Sequence, residues 1–576
     1  MSRRWRGLAA TWRMGLVLAV LASSHVACRE PQSQPRWQAA GNLTPRRGGA
    51  LRFSTADSVN SLDPAIAYDE ISIYMTAHLF DTLVGYAPAM PGGASGAATV
   101  LEPRLAESWQ LSEDGKMLRF HLRADLRYHD GAPIVAGDFK YALERVLRMQ
   151  DSPFGSFLLP VAGAEAVRQG RADHCAGIRV LDDRTLEFEL TRRDASFLYI
   201  LAMKFAAPLR REVAERAGAA LRREPLASGP YQLVSWEEGQ RVTLKRSPHH
   251  WDTRRGWLDE IVLLENVPRD VELLMFERGE LDVCYQPPAP GYLWLHSQPA
   301  WRPHMQRTVM MNAFGERMNV TRPPFNDVRV RRALNYAVNK EHLAVLLHGT
   351  AEPAHGILPP GMFGRDDAIA PYPHDPGRAR SLLREAGYPD GFAVEYATLT
   401  GDEPRKLATA LQADLAEVGV RITIRELSLP AYLAAVGSRD GPGLSFTSWT
   451  QDYPDPSSFV DLRFHSRMIT DQASINDTFY ANPVVDGLID EARGELDRTR
   501  RRDKYLSIEK ILYDDAPWIW GYHRATVEVL QPYVKSYQAH PVWVRDFSYA
   551  WLDLDDKGRR VPASEVATAP ASERPR

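Results

Sequence analysis

Cysteine is scarce in this chain of 576 residues, which contains only Cys28, Cys175 and Cys284. Three widely spaced cysteines exclude a disulfide-dense small scaffold and a cysteine-based structural zinc site. An excess of one charge is also missing, because 70 Lys and Arg residues nearly balance 73 Asp and Glu residues and leave a formal charge of −3. Nucleic acid and anionic membranes call for a basic patch, so neither is expected as the main partner.

Long hydrophobic runs are missing as well, since after residue 22 no stretch is apolar enough to cross a bilayer, which takes about 20 residues. The chain has the composition of an ordinary globular protein, with 44% hydrophobic and 25% charged residues. Its length suggests three or four compact units of ~100–200 residues each. Cys175 and Cys284 could form a bridge in an oxidising compartment or remain free buried thiols, and the sequence leaves both alternatives open.

The common catalytic and cofactor motifs do not occur in the sequence. There is no Gly-x-Ser-x-Gly elbow and no His-Glu-x-x-His pair, and Gly115-Lys116 lacks the P-loop glycine five residues earlier. His249-His250 does not suit a metal, because adjacent side chains on a strand or turn point apart. Asp452 and Asp455 stand among prolines, which is typical of a turn. The sequence therefore predicts a protein that is not an enzyme and that has no cofactor and no metal site.

The N-terminus indicates export. Arg3, Arg4 and Arg6 form a positively charged segment, and residues 14–22 form an apolar segment that is too short to span a bilayer. Residues 1–27 are therefore predicted to be a signal peptide. The mature protein is expected in the periplasm or cell envelope.

The end of this signal resembles a bacterial lipoprotein box, although His25 stands where that box usually has Leu. The resemblance implies a lipid anchor on Cys28, which would be the only attachment to a membrane. The alternative is a plain signal peptide followed by an incidental cysteine. Residues 28–47 are polar and contain three prolines, so they are predicted to be a tether, and residues 558–576 are predicted to be a disordered tail.

Helices and strands alternate in the body of the chain, and an early helix is predicted over roughly residues 69–83. Asp114-Gly115 predicts a hairpin turn, and Asp327 and Asn339 are predicted to cap two successive helices. Residues 405–418 carry leucines at helical spacing and end at Gly419, after which apolar and polar residues alternate as in a strand. Helix followed by strand, repeatedly, predicts an α/β fold.

A series of short motifs then gives the chain a family resemblance. In their order over residues 48–551 they resemble bacterial extracellular solute-binding proteins of the oligopeptide/dipeptide type (family 5), which are the receptors of ABC importers. The motifs are Gly48-Gly49-Ala50-Leu51-Arg52, Ser61-Leu62-Asp63-Pro64, Leu79-Phe80-Asp81-Thr82-Leu83, Pro103-Arg104-Leu105-Ala106-Glu107-Ser108-Trp109, Asp114-Gly115-Lys116, Phe120-His121-Leu122-Arg123, His129-Asp130-Gly131-Ala132-Pro133, Gly229-Pro230-Tyr231, Gly279-Glu280-Leu281-Asp282, Pro324-Phe325-Asn326-Asp327-Val328-Arg329-Val330-Arg331 and Leu383-Arg384-Glu385-Ala386-Gly387-Tyr388.

The resemblance implies an α/β fold of the periplasmic-binding-protein type, a two-hinged clamp with an extra lobe and mixed sheets flanked by helices. Lobe three would close onto lobe one around the ligand by a hinge motion. The expected segments are residues 48–86, 180–285 and 520–557 for lobe one, 87–179 for lobe two and 286–519 for lobe three.

The resemblance also nominates ligand-binding residues around Trp449-Thr450-Gln451-Asp452. In peptide-binding members the Asp of this motif takes the α-ammonium of the peptide, and Asp452 falls on that position. A desolvated ammonium needs a close carboxylate. The alternative is that Asp452 only accepts bonds from turn amides. Trp449 and Tyr453 are expected to line side-chain pockets, or to belong to the core.

Two further segments match ligand-contacting positions of the family. Ser58, Val59 and Asn60 resemble the strand that pairs with the peptide backbone, and Phe154 stands where peptide receptors place a Tyr. The carboxylate end of a peptide has no matching residue, because Phe446 replaces the Arg of one peptide-binding branch. Arg405 and Arg439 are the nearby candidates for that role.

The expected function is that of a monomeric receptor that captures peptides and delivers them to an inner-membrane ABC permease with its ATPase subunits. One alternative keeps the receptor and changes the solute to a metal chelate, a sugar or another small compound. Another alternative is a secreted hydrolase or a chaperone-like binder of unfolded chains. Peptide length and side-chain preference are left open.

Overall fold

The structure is a computed structural model that describes residues 44–93, 95–555 and 558–560. The predicted signal peptide, the predicted lipid anchor on Cys28, most of the predicted tether and most of the predicted C-terminal tail lie outside the described residues. Within the described part, the chain forms 20 β-strands and 15 α-helices.

The strands are short, with one exception near the end of the chain. They are β1 (Ala50–Ser54), β2 (Val84–Tyr86), β3 (Leu101–Pro103), β4 (Ala106–Leu111), β5 (Met117–Leu122), β6 (Ile178–Asp182), β7 (Thr185–Glu189), β8 (Tyr231–Glu237), β9 (Arg241–Arg246), β10 (Glu260–Leu264), β11 (Val283–Tyr285), β12 (Met305–Val309), β13 (Asn312–Met318), β14 (Ala351–Pro353), β15 (Ala393–Leu399), β16 (Arg421–Leu427), β17 (Leu444–Thr450), β18 (Trp518–Leu530), β19 (Val534–Lys535) and β20 (Trp551–Leu552).

The helices are concentrated in the second half of the chain. They are α1 (Glu70–Leu79), α2 (Ala136–Arg148), α3 (Ala164–Arg168), α4 (Phe197–Leu201), α5 (Arg211–Ala217), α6 (Arg269–Glu277), α7 (Ala289–Ser297), α8 (Val328–Ala337), α9 (Lys340–Leu346), α10 (Pro376–Glu385), α11 (Asp402–Glu417), α12 (Leu429–Val436), α13 (Ser457–Phe464), α14 (Pro483–Gly494) and α15 (Arg498–Asp515).

The largest sheet has eight strands and is organised around β18. Its order is β11-β18-β13-β17-β15-β16, with β12 and β14 also paired to β18. Successive side chains of a strand point to opposite faces. Accordingly, Trp518 and Trp520 pack in one buried apolar cluster, while Ile519 packs in another. Both faces of this sheet carry apolar side chains, so both must be covered by other elements to be buried. Helices α8–α15, which lie in the same half of the chain, provide this cover.

Two four-stranded sheets make up most of the first half. One has the order β1-β10-β9-β8, with β1 and β10 parallel, and the other has the order β4-β5-β7-β6 and is antiparallel. Mixed sheets flanked by helices confirm the predicted α/β class. Because β18 begins at Trp518 and continues without interruption past residue 520, it runs across the predicted boundary between lobes three and one. The lobe boundaries themselves stay a prediction.

Several local predictions are confirmed at the residues that carry them. Asp114-Gly115 lies in the turn between β4 and β5, where Gly115 has a φ of +68°. Asp327 caps α8 by accepting from the N–H of Arg329 at 2.8 Å, and Asn339 caps α9 by accepting from the N–H of His342 at 2.9 Å. Each contact joins residues two or three positions apart, so the local sequence was sufficient to predict it.

The helix predicted near the start of the chain is shorter in the structure. The sequence favours a helix over roughly residues 69–83, but α1 ends at Leu79 because the chain turns extended at Phe80.

Cys175 and Cys284 are buried free thiols. In the part of the chain that the structure describes, no helix is long and apolar enough to cross a membrane, and no cluster of three metal-ligating side chains occurs.

Candidate ligand-binding site

A cavity of about 590 Å³ lies between α1 and the strands β13, β17 and β18 of the large sheet. Its wall combines many separate stretches of the sequence, from residue 64 to residue 544, so no single motif describes it. The lining includes Pro64, Tyr68, Glu70, Ile73, Phe154, Lys204, Phe205, Arg269, Tyr285, Met310, Asn312, Phe314, Gln451, Asp452, Arg524, Thr526 and Trp543. The mixture of aromatic walls and a few charged groups is typical of a small-ligand site.

The aromatic part of the wall is held by stacking between rings. Phe154 is buried and stacks on Phe205 with ring centroids 4.9 Å apart, and Tyr68 meets the Phe154 ring edge-on at 5.5 Å. Tyr68 directly precedes Asp69, the N-cap of α1, whose carboxylate accepts from the N–H of Ser72. The cap fixes the entry of the chain into the helix and thereby the position of the Tyr68 ring.

Asp452 enters the cavity from the turn that follows β17. Its backbone N–H donates to the hydroxyl of Ser458 at 3.0 Å, and its Oδ1 accepts from the hydroxyl of Tyr68 at 2.6 Å. Among the described residues Asp452 forms no ion pair. Burial raises the pKa of Asp452 to about 6, against the opposing effect of the Tyr68 hydrogen bond. The cavity therefore contains a carboxylate that lacks a cationic partner.

Asp455, three residues along the same turn, has the opposite environment. It is buried, and both of its carboxylate oxygens accept from the guanidinium of Arg501, each at 2.7 Å. This ion pair, together with hydrogen bonds from Ser457, keeps the pKa of Asp455 below its ordinary value despite the burial. Asp455 is thus satisfied inside the protein, and the comparison makes the unpaired state of Asp452 conspicuous.

Trp449 and Tyr453, which flank Asp452 in sequence, are beside the cavity and do not form its wall. The Trp449 indole N–H donates to the carbonyl of Ser458 at 2.7 Å. Tyr453 is buried, and its ring meets Phe157 edge-on at 6.0 Å. Both side chains pack in the apolar clusters next to the site, so their contact with a ligand stays a prediction.

Ser58, Val59 and Asn60 also lie outside the cavity wall. The N–H of Val59 donates to Glu265 at 2.6 Å, and the N–H of Asn60 donates to the hydroxyl of Ser72 at 3.1 Å. A peptide strand added here would have to replace these two side-chain acceptors. The pairing role of this segment stays a prediction.

The guanidinium groups on the cavity wall are Arg269 and Arg524, which the sequence motifs did not nominate. Arg405 is instead ion-paired with Glu426 and Arg439 with Asp471, both at exposed positions away from this cavity. Arg269 and Arg524 are far from the Trp449–Asp452 motif in sequence. The spacing of residues along the sequence does not place these two arginines near Asp452, because their proximity arises only from the tertiary fold.

The two arginines differ in what they already bind. Arg524 donates to Glu403 at 2.5 Å, whereas Arg269 donates only to the backbone carbonyls of Tyr285 and Gln286, at 3.3 and 3.4 Å, and forms no ion pair among the described residues. A third cation on the wall, Lys204, donates to the carbonyl of Phe80 at 3.1 Å. Burial lowers the pKa of Lys204 to about 8.

The amide of Gln451 adds a polar group that the protein leaves unsatisfied. Its Oε1 is buried and has no hydrogen-bond partner among the described residues. Buried acceptors without a donor cost free energy, so such an atom in a cavity wall is suited to a donor brought by a ligand. The site as a whole offers two carboxylates without an ion pair among the described residues, Asp452 and Glu70, of which Glu70 accepts from the hydroxyls of Tyr74 and Tyr285. With the guanidinium groups and the open amide acceptor between aromatic walls, this is chemistry for binding a zwitterion.

Comparison with known proteins agrees with this geometry. The sequence model of the bacterial extracellular solute-binding proteins, family 5 Middle, matches residues 100–471. The dipeptide-binding protein of Escherichia coli K12 is 28% identical over 501 residues, which cover 83% of this chain and 89% of that protein. The di/tripeptide-binding protein 2 of Pseudomonas aeruginosa is 27% identical over 562 residues, which cover 93% of this chain and 98% of that protein.

A solved structure shows the same architecture. The clavulanic acid biosynthesis oligopeptide binding protein 2 superposes with a TM-score of 0.80 at 28% identity, over 88% of this chain and 96% of that chain. The predicted family and the predicted fold are thereby confirmed. With more than half of its length inside the family match, this chain belongs to family 5 of the bacterial extracellular solute-binding proteins.

Proposed function

We propose that the protein is a receptor that captures short peptides outside the inner membrane and delivers them to an ABC permease. The observation that carries this proposal is the cavity-facing Asp452, which has no cation while its neighbour Asp455 has Arg501. The α-ammonium of a peptide supplies the missing charge. Relatives named for binding dipeptides and di/tripeptides support the same ligand class.

The remaining charged groups of the wall fit the other end of such a ligand. Arg269 takes the peptide carboxylate, since its guanidinium lies over the Tyr285 ring at 5.3 Å and donates only to carbonyl oxygens among the described residues. Arg524 lies on the same wall. Bidentate guanidinium–carboxylate bonds are among the strongest available to a protein. Phe154 offers apolar contact only, since it has no hydroxyl to donate.

The protein acts by binding and closure, and the ATPase subunits of the permease supply the energy of transport. Export by residues 1–27 and a lipid on Cys28 keep the receptor at the cell envelope. A lipid anchor leaves the folded part free to meet both solute and permease. Neither a covalent step nor a cofactor is needed for this function.

Calorimetric titration of the chain from Arg29 onward with alanine di- and tripeptides tests the proposal. Asp452→Asn should weaken binding by about 2–5 kcal/mol, because the ammonium then lies buried without a carboxylate. Asp471→Asn removes an equal charge at an exposed position of the same half of the protein and should leave the affinity unchanged. N-acetylated peptides should bind the wild type as weakly as free peptides bind the Asp452→Asn variant.

Two outcomes contradict the proposal. Wild-type protein that ignores every peptide in the series would show that the solute belongs to another class, such as a metal chelate or a sugar. Equal affinity of the wild type and Asp452→Asn for a free peptide would show that Asp452 serves the turn alone. Peptide returned shortened after incubation would indicate a hydrolase.

A further inference from the structure

A second cavity of about 250 Å³ adjoins the ligand-binding cavity, and Phe314 and Arg524 line both of them. This side pocket is bounded mainly by apolar and aromatic side chains and contains two acids, Glu316 and Glu403, of which Glu403 is ion-paired with Arg524. The further lining is Leu343, Tyr396, Thr398, Leu399, Glu403, Pro404, Leu407, Phe446, Ser448 and Tyr522.

The floor of the side pocket is one face of the large sheet. In β13, Asn312, Phe314 and Glu316 are separated by two positions and so share a face. Asn312 lines the first cavity, Phe314 lines both, and Glu316 lines the second. On the neighbouring strand β17, Ser448 is opposite Phe314 and Phe446 is opposite Glu316. A continuous strip of sheet therefore leads from the ligand cavity to Glu316.

Helices α9 and α11 cover this strip with aliphatic side chains. Leu343 comes from α9, and Pro404 and Leu407 come from α11. An aminobutyl group has five heavy atoms, which at about 30 Å³ each need roughly 150 Å³. The side pocket has room for such a chain, and its walls suit the methylene groups.

Glu316 has a single hydrogen-bond partner among the described residues. Its Oε2 accepts from the hydroxyl of Tyr396 at 2.7 Å, and no described cation pairs with it. The guanidinium at the mouth of the pocket, Arg524, is already engaged by Glu403. An ionised carboxylate in such surroundings is costly unless a cation joins it.

Without a cation beside it, Glu316 favours its protonated form, because protonation removes the buried charge. Burial raises the pKa of Glu316 to about 8, although the Tyr396 hydroxyl works in the opposite direction. The titratable or charged groups that face it in the pocket wall are Tyr396 on β15, Tyr522 and Arg524 on β18, and Glu403 on α11.

We infer that the side pocket selects ligands with a lysine-like side chain, whose aliphatic stem lies along the leucine walls and whose ammonium is bound by Glu316. This inference rests on the proposed peptide function and names a substrate preference within it. Long cationic side chains bury their stems and place their charge at a polar end. A cation in the pocket also displaces the proton of Glu316 to solvent at neutral pH.

Matched peptides test the inference on the chain from Arg29 onward. Alanine di- and tripeptides with Lys at one position are compared by calorimetry with the same peptides carrying norleucine, which keeps the stem and lacks the charge. When Lys occupies the peptide position whose side chain enters the side pocket, the wild type should bind that peptide about tenfold more tightly than its norleucine counterpart. Glu316→Gln should abolish this ratio while leaving norleucine peptides bound as before. Glu395→Gln, an exposed acid beside Tyr396 on β15, should keep the ratio.

A second measurement needs no variant. Titration of the wild type with the Lys peptide at pH 7 in two buffers of different ionisation enthalpy should reveal the release of about one proton, and the norleucine peptide should release none. Norleucine peptides that bind well, with no Lys preference and no proton release, would overturn the inference and leave the proposed function intact. Failure of every peptide to bind the wild type would overturn both.

Discussion

Three carboxylates of the second half show how the environment of one side chain sets its role. Asp455 receives two bonds from Arg501 and is a structural ion pair. Asp452 and Glu316 line cavities, lack a described cation and accept one tyrosine hydroxyl each. Their pKa values are raised by burial, to about 6 and about 8. Burying these acids without a cationic partner lowers the stability of the folded protein, and both acids lie in cavities that a cationic ligand can enter.

Asp452→Asn is expected to stabilise the empty protein, and the gain should depend on pH. The pKa of an unfolded Asp is about 3.9, and the folded value is about 6. The wild type therefore loses stability as the pH rises from about 4 to 6, whereas Asn does not titrate. After a discount for partial exposure, the gain at pH 7.5 should be about 1–2 kcal/mol.

Thermal and urea unfolding without peptide, at pH 4 and pH 7.5, measure this gain. Asn still accepts from the Tyr68 hydroxyl, so the contact with α1 is retained. The exposed Asp471→Asn variant should show no gain at either pH. A gain of equal size at pH 4 would mean that the ionisation of Asp452 is not its source.

At the scale of elements, β18 and β13 carry the architecture. The first half of β18 pairs with β13 and β14, and the second half with β11 and β12. The register between β13 and β18 shifts at Phe314/Gly315, next to the residues that line both cavities. A Cβ at Gly315 would lie 2.3 Å from the carbonyl oxygen of Ile519. The close approach of two strands therefore requires glycine here.

Gly315→Ala should destabilise the protein by about 1–3 kcal/mol, since the added methyl group meets backbone that cannot move aside cheaply. Gly487→Ala is the matched control. Gly487 lies exposed in α14, and a Cβ there meets no atom within 4 Å. That change should stabilise by about 0.5–1 kcal/mol through helix propensity. Urea unfolding of both variants measures these changes in the free energy of unfolding. A Gly315→Ala variant as stable as the wild type would refute the argument that the strand contact requires glycine.

At the scale of the whole molecule, contacts besides the strand pairings of β18 join the predicted lobe three to the predicted lobe one. Arg493 donates from Nε to Asp194 at 2.9 Å, and its carbonyl accepts from the N–H of Ala195 at 2.9 Å. The Tyr68–Asp452 hydrogen bond links the same two parts of the chain within the ligand cavity. Because these contacts lie between parts that a hinge would separate, they favour the closed arrangement.

Asp194→Asn should shift the empty protein toward an open form, because the buried ion pair that holds Arg493 is lost. Small-angle X-ray scattering should show a larger radius of gyration without peptide. Peptide affinity should fall several-fold, up to about tenfold, since closure then costs more. Asp130→Asn breaks a pair with Arg210 that does not involve lobe three and should change neither quantity. Unchanged scattering of Asp194→Asn would contradict the clamp role of this pair.

The sequence by itself determined the family, the fold class and the local caps and turns. Each of these depends on residues a few positions apart or on motifs in a fixed order, and Asp327, Asn339 and Asp114-Gly115 show how directly such signals are expressed. It also nominated Asp452 through a four-residue motif. These features need no knowledge of which distant segments meet.

Only the tertiary structure decided which groups surround the ligand site. Arg501, 46 residues from Asp455, pairs with that acid and not with Asp452. Arg269 and Arg524 reach the cavity while Arg405 and Arg439 are paired elsewhere, and Glu316 becomes a pocket acid because β13 and β15 lie in one sheet. Charge and burial act through space, so the partner of a buried acid cannot be inferred from its sequence neighbours.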